Sequence, residues 1–124
     1  MKINRWTAAL TLLFILVSLA SQAAADYASP LRVQVRASYP QKVRTVGQGA
    51  SHLLETIDYR VIVNGAAPLE APGIARMGIG PQARTGEILP LEEILLLLVG
   101  EQNRVVVDHE HRLVSFEAMP GGLQ

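Results

Sequence analysis

Residues 89–117 read Leu89-Pro90-Leu91-Glu92-Glu93-Ile94-Leu95-Leu96-Leu97-Leu98-Val99-Gly100, then Glu101-Gln102-Asn103, then Arg104-Val105-Val106-Val107-Asp108-His109-Glu110-His111-Arg112-Leu113-Val114-Ser115-Phe116-Glu117. The pattern predicts a helix closed by Gly100 and followed by a β-hairpin. Pro90 suits a first helical turn, where its missing N–H removes no bond. Glu92 and Glu93 place negative charge at the positive end of the helix dipole. Gly100 can adopt the left-handed conformation that ends helices. Leu91, Ile94, Leu95 and Leu98 follow the i, i+3, i+4, i+7 spacing of one buried face. Leu96, Leu97 and Val99 are apolar as well and point elsewhere, so the helix must be covered on more than one side. At about ten residues it falls short of the roughly 20 that a bilayer span needs. Its second cover is therefore another part of the domain or a partner protein.

In the hairpin, Val105, Val106 and Val107 form one arm and Leu113, Val114 and Phe116 the other. Both arms look apolar on both faces, as in strands buried on each side. The turn lies between Asp108 and His111. Two or three turn residues give different registers, and the sequence leaves that choice open.

Upstream, residues 31–39 alternate. Leu31, Val33, Val35 and Ala37 fall on one face and Arg32, Gln34, Arg36 and Ser38 on the other, the period of a half-buried strand. Pro40 ends it. Residues 45–58 read as a helix, with Thr45 and Gln48 spaced as a capping box and Val46, Ala50, Leu53, Leu54 and Ile57 on one stripe. His52 lies opposite that stripe and reads as a solvated helix residue. Gly47 and Gly49 in the first turns suggest that another segment approaches closely there, or that the start is frayed. Residues 59–63 form a second strand, stopped by Asn64-Gly65. Residues 64–88, rich in Pro and Gly, read as a long flexible loop. A weak third strand within 82–89 leads into the second helix. The fold class is then α+β: a small two-helix domain with mixed sheets, ordered strand-helix-strand-strand-helix-strand-strand.

The chain has 124 residues, no cysteine, and equal numbers of basic and acidic side chains. One small domain is expected. Neither disulfides nor thiolate metal sites can brace it, and no basic stripe with interleaved aromatics points to nucleic acid. Residues 1–25 read as a signal peptide: Lys2 and Arg5, an apolar stretch from Ala8 to Ala20, and small residues at Ala23 and Ala25 for cleavage after either. Ala25 is the favoured site, and an uncleaved anchor is the alternative. The domain then covers 26–119, with residues 120–124 a disordered tail.

No catalytic constellation emerges. No Gly-x-Ser-x-Gly frames a serine, and His-Glu-x-x-His is absent. His109 and His111 flank Glu110 and would point the same way on a strand. No third ligand accompanies them, so a polar turn is the better reading. Glu92 and Glu93 diverge on a helix and cannot work as a carboxylate pair. No cofactor, metal or small-molecule substrate is expected.

Certain segments carry a resemblance. They are Val43-Arg44-Thr45-Val46-Gly47, Leu53-Leu54 with Tyr59-Arg60, Val105-Val106-Val107-Asp108, and His111-Arg112-Leu113-Val114-Ser115-Phe116-Glu117. Through them, residues 30–117 resemble the amino-terminal region of PilL-type proteins of conjugative-element type IV pili. This chain differs in a longer Pro/Gly loop and in Gly100-Glu101-Gln102-Asn103, where the family has Gly-Pro-Ala-Trp. The element order is also similar to the small domain at the amino terminus of secretins and TonB-dependent receptors, in which two helices lie between two small sheets.

The resemblance implies a periplasmic, non-enzymatic accessory protein of a pilus or conjugation apparatus in a Gram-negative bacterium, with the outer-membrane secretin or another pilus component as partner. A small ligand-binding or signalling module is the alternative it leaves. Docking would use exposed apolar surface or strand addition at a free sheet edge. The candidate contact residues are Leu96, Leu97, Val99, Val105, Val107, Leu113 and Phe116.

Overall fold

A computed structural model describes residues 29–120. The signal-peptide reading and the last four residues lie outside them. Among the described residues, five strands form two sheets. In the first, β1 (Gln34–Arg36) pairs antiparallel with β3 (Ile88–Pro90). In the second, the order is β2 (Arg60–Val61), β5 (Leu113–Ala118), β4 (Asn103–Asp108), with β2 parallel and β4 antiparallel to the central β5. Three α-helices accompany them: α1 (Val46–Leu54), α2 (Ala71–Arg76) and α3 (Leu91–Val99). The α+β class holds, with three helices where two were expected.

The extra helix lies in the stretch whose composition suggests a loop. Its prolines start structure there. Pro72 occupies the first turn of α2 and Pro81 opens a 3-10 turn over Pro81–Ala83, positions where a missing N–H removes no intrahelical bond. Ala71, Ile74 and Ala83 are buried. Val46 N–H donates to the Met77 carbonyl at 2.8 Å, and Ile79 N–H to the Arg44 carbonyl at 3.0 Å. Residues 64–88 are thereby tied to the start of α1.

That start explains its glycine. A Cβ on Gly47 would stand 3.0 Å from Ala75 Cβ and 3.2 Å from the Ala75 carbonyl oxygen, so the close approach is that of α2. The capping box is formed in full: Thr45 Oγ1 accepts from Gln48 N–H at 3.2 Å, and Gln48 Oε1 accepts from Thr45 N–H at 3.2 Å. Thr45→Ala leaves the Gln48 amide without its partner, and a loss of about 0.5–2 kcal/mol is expected in urea unfolding. An unchanged midpoint would mean that the first turn is held by the Met77 carbonyl alone.

The first strand is shorter than its alternation implied. Pro30–Arg32 is a 3-10 turn, which buries Leu31 but rotates Val33 outward to 43% exposure. The Val33 carbonyl accepts the N–H of Leu91 at 2.8 Å. That bond serves an α3 amide that no intrahelical carbonyl can reach. Pro90 is the residue before the helix and also the last of β3, rather than part of the first turn.

The hairpin turn has four residues, His109 to Arg112, between the paired Asp108 and Leu113. Arg112 takes φ 55° there. The Asp108 carboxylate accepts the N–H of His111 at 3.2 Å, which closes the turn. Burial on both faces holds only for the central strand, and there the outer face carries Ser115 and Glu117 rather than apolar residues alone. In β5, Val114, Ser115 and Phe116 are all buried, and Ser115 Oγ donates to the Ile62 carbonyl at 2.6 Å. In β4 the pattern alternates: Val105 and Val107 pack on the core, while Arg104, Val106 and Asp108 face outward. The core joins these strands to Val46, Ala50, Leu53 and Leu54 of α1 and to Leu91, Ile94, Leu95, Leu98 and Val99 of α3. Helix α3 touches β3 of one sheet and β4 of the other. This accounts for apolar residues on more than one of its faces. Among the described residues no helix is long and apolar enough to cross a membrane.

Candidate docking surface

One apolar position of α3 finds no cover. Leu96 is 54% exposed, beside Leu95 at 1% and Leu98 at 3%. With Leu97, Gly100, Asn103, Arg104 and Met119 it lines an open groove of about 570 Å³ where α3 turns into β4. The groove's shape follows from the helix end. Gly100 takes φ 82° and its N–H donates to the Leu96 carbonyl at 3.1 Å. Asn103 Nδ2 then donates to the Val99 carbonyl at 2.8 Å. The first is the last i→i−4 bond of the helix and the second satisfies a carbonyl left over at its terminus. The chain turns sharply enough to bring β4 back beside Leu96. Arg104 is held by Glu117 at 2.7 Å, which puts a charged rim on one side of the groove.

The candidate residues divide. Leu96 and Leu97 meet in the groove. Val99, 1% exposed, and Phe116, 0% exposed, are core residues that no partner can reach, because their side chains fill the space between α3 and the larger sheet. Val105 and Val107 are half-buried and pack against the same core. Leu113 is half-buried on the other side of the sheet, where it lines a shallow recess with Val106 and Pro68. Sequence reasoning misses Met119, Asn103 and Arg104. Met119 is the legible one, an apolar residue just past the last strand. It extends the ladder through its N–H to the Gln102 carbonyl at 2.9 Å.

A second depression, about 740 Å³ and wide open, lies between α1 and α2. Its lining is mixed, with Lys42, Gln48, His52 and Arg76 beside Val61 and Ala75. His52, expected to be solvated, is half-buried there.

The two histidines of the hairpin tip part company. His109 Nδ1 meets Tyr59 Oη at 2.8 Å, with the rings edge-on. His111 Nδ1 meets Asp108 Oδ2 at 2.8 Å. The side chains brought within mutual reach are Asp108, Glu110 and His111, all exposed. Both Asp108 oxygens already accept bonds from His111. Those bonds, the side-chain one first, hold the Asp108 carboxyl below its usual range. A depressed folded pKa means the contribution is present above the ordinary aspartate range and is lost as pH falls through the folded value. His111→Ala is expected to move the Asp108 midpoint up towards that range in an NMR carboxyl titration. A midpoint that stays put would leave the backbone bond as the whole cause.

No family model matches the chain, and neither a curated protein nor a solved structure matches it.

Proposed function

We propose that the chain is a non-enzymatic binding module of a Gram-negative cell envelope, docking through the Leu96 groove on a secretin or another component of a type IV pilus or conjugation apparatus. The observation that carries the docking part is Leu96. It is a half-exposed leucine on a helix whose other large apolar side chains are used by the domain itself, and it stands in an open groove rimmed by Arg104. Amphipathic grooves of this kind are a common way to receive an apolar anchor from a partner. The pilus part rests on the sequence resemblance. The resemblance implies two helices between two small sheets; the chain has two sheets and, among the described residues, three helices.

The test is a cross-linked pull-down of the tagged chain expressed in its own host. Recovery of a secretin or pilus component by the native chain, lost with Leu96→Lys, supports the reading. Equal recovery by both chains overturns the groove.

A second reading, a ligand-binding or signalling module, is favoured by the open depression of mixed lining between α1 and α2. NMR titration with peptidoglycan fragments tests it. Shifts clustered at Ser51, His52 and Arg76 would support it, and a spectrum without shifts would remove that ligand.

A further inference from the structure

We infer that two copies of this chain pair edge to edge through β4, antiparallel about a two-fold axis centred on Val106. In the larger sheet β4 is an edge strand, and no described strand besides β5 pairs with it. The bond from Met119 N–H to the Gln102 carbonyl sets the alternation of the ladder. Gln102, Arg104, Val106 and Asp108 turn their backbone groups to β5, and Asn103, Val105 and Val107 turn theirs to the open side. Natural edges are usually blunted by proline, a bulge or lysine. This one has none of these: its register with β5 runs one for one from Asn103↔Ala118 to Asp108↔Leu113, with three successive valines.

The charges select the partner. An antiparallel copy centred on Val106 sets Arg104 opposite the partner's Asp108, and Asp108 opposite the partner's Arg104. It sets Val106 against itself, and Val105 opposite Val107, the two residues whose amides point outward. Hydrogen bonding and side-chain pairing therefore agree on one register. Opposite charges directly across a strand pair are favourable and like charges unfavourable. Val106, 38% exposed, supplies the apolar centre. Arg104 and Asp108 are also exposed on that outer face, so neither has to leave the core to make the contact. Within the chain Arg104 is paired with Glu117 at 2.7 Å and Asp108 with His111 at 2.8 Å, and each shares or exchanges that partner when the copies pair. The product is one six-stranded sheet. The inference goes beyond the groove and holds whether or not an envelope protein occupies it. A single strand pair buries less than the roughly 1,200–2,000 Å² of a standard interface, so a weak, concentration-dependent dimer is expected.

Charge swaps test it, read by sedimentation equilibrium of the tagged full chain from micromolar to millimolar concentration. Arg104→Asp sets two carboxylates against each other at each end of the strand pair. Asp108→Arg sets two guanidinium groups against each other there. Each variant alone is expected to raise the dimer dissociation constant at least about tenfold. In an equimolar mixture of the two, a mixed dimer carries one end with the native charges exchanged between copies and one end with the native pair kept. Each variant is then relieved of its like-charge contacts at both ends only when it meets the other, and the mixture is expected to dimerise more tightly than either component. That recovery also shows that both variants fold. A native chain that stays monomeric at millimolar concentration overturns the inference. So do single variants that dimerise as well as the native chain, or a mixture no tighter than its components.

Discussion

Phe116→Ala is expected to lower stability by about 3–5 kcal/mol, the range for emptying a fully buried aromatic site. Phe116 has no exposed surface and is the largest of the fully buried side chains. It lies on the central strand, opposite Val105 of β4, and in the same core as Leu54 of α1 and Leu95 of α3. Because β5 has a neighbour on each side, the sheet cannot close around the gap without moving both. A domain of this size has a total stability of about 5–15 kcal/mol. A change of 1 kcal/mol moves its melting point by roughly 4–8 °C. A drop of at least about 12 °C is therefore expected in thermal unfolding followed by circular dichroism. A shift of only a few degrees would mean that the core repacks around the gap, and that Phe116 matters less than its burial implies.

The second large effect comes from two neighbouring leucines, Leu95 on the periodic buried face of the helix and Leu96 off it. Leu95 is 1% exposed and Leu96 54%. Leu95→Ala is expected to cost about 2–5 kcal/mol, because its side chain is buried in the core. Leu96→Lys is expected to change stability by less than about 0.5 kcal/mol. Lysine is the informative replacement. It stands four residues after Glu92 and three after Glu93, where ion pairs support a helix, and near the end of the helix, where a cation suits the dipole. It still places a charge in the apolar groove. The expected pattern is a large loss of stability at 95, and an intact fold with lost capture at 96. Comparable destabilisation at both positions in guanidinium unfolding would place Leu96 in the core and remove the groove.

Much of the fold is legible in residues that act locally. Thr45 and Gln48 announce a cap that forms because both partners lie within one turn. Gly47 announces a close approach, and α2 supplies it. The alternation of β4 is hidden, because Val105, Val106 and Val107 are chemically identical while their surroundings are not. Only pairing with β5 decides that Val106 faces outward. Pro72 and Pro81 read as breakers because proline both starts and stops helices. Which role it takes depends on whether an apolar face follows, and Ile74 alone is a faint signal. At the candidate site, Leu96 and Leu97 stand out as surplus apolar residues. Val99 and Phe116 stand out for the same reason and prove to be core, since spacing shows that a residue needs cover without showing what covers it. Asn103, Arg104 and Met119 enter the groove only because Gly100 turns the chain back on itself.

The most direct measurement of docking is photo-cross-linking in the living host. A photoreactive phenylalanine analogue is placed at position 96 in the apolar groove, and in a second strain at position 51 in the depression between α1 and α2. Docking through the groove predicts an adduct with a secretin or pilus component from position 96 and none from position 51. An adduct from position 51 alone would contradict it and put the functional surface between α1 and α2.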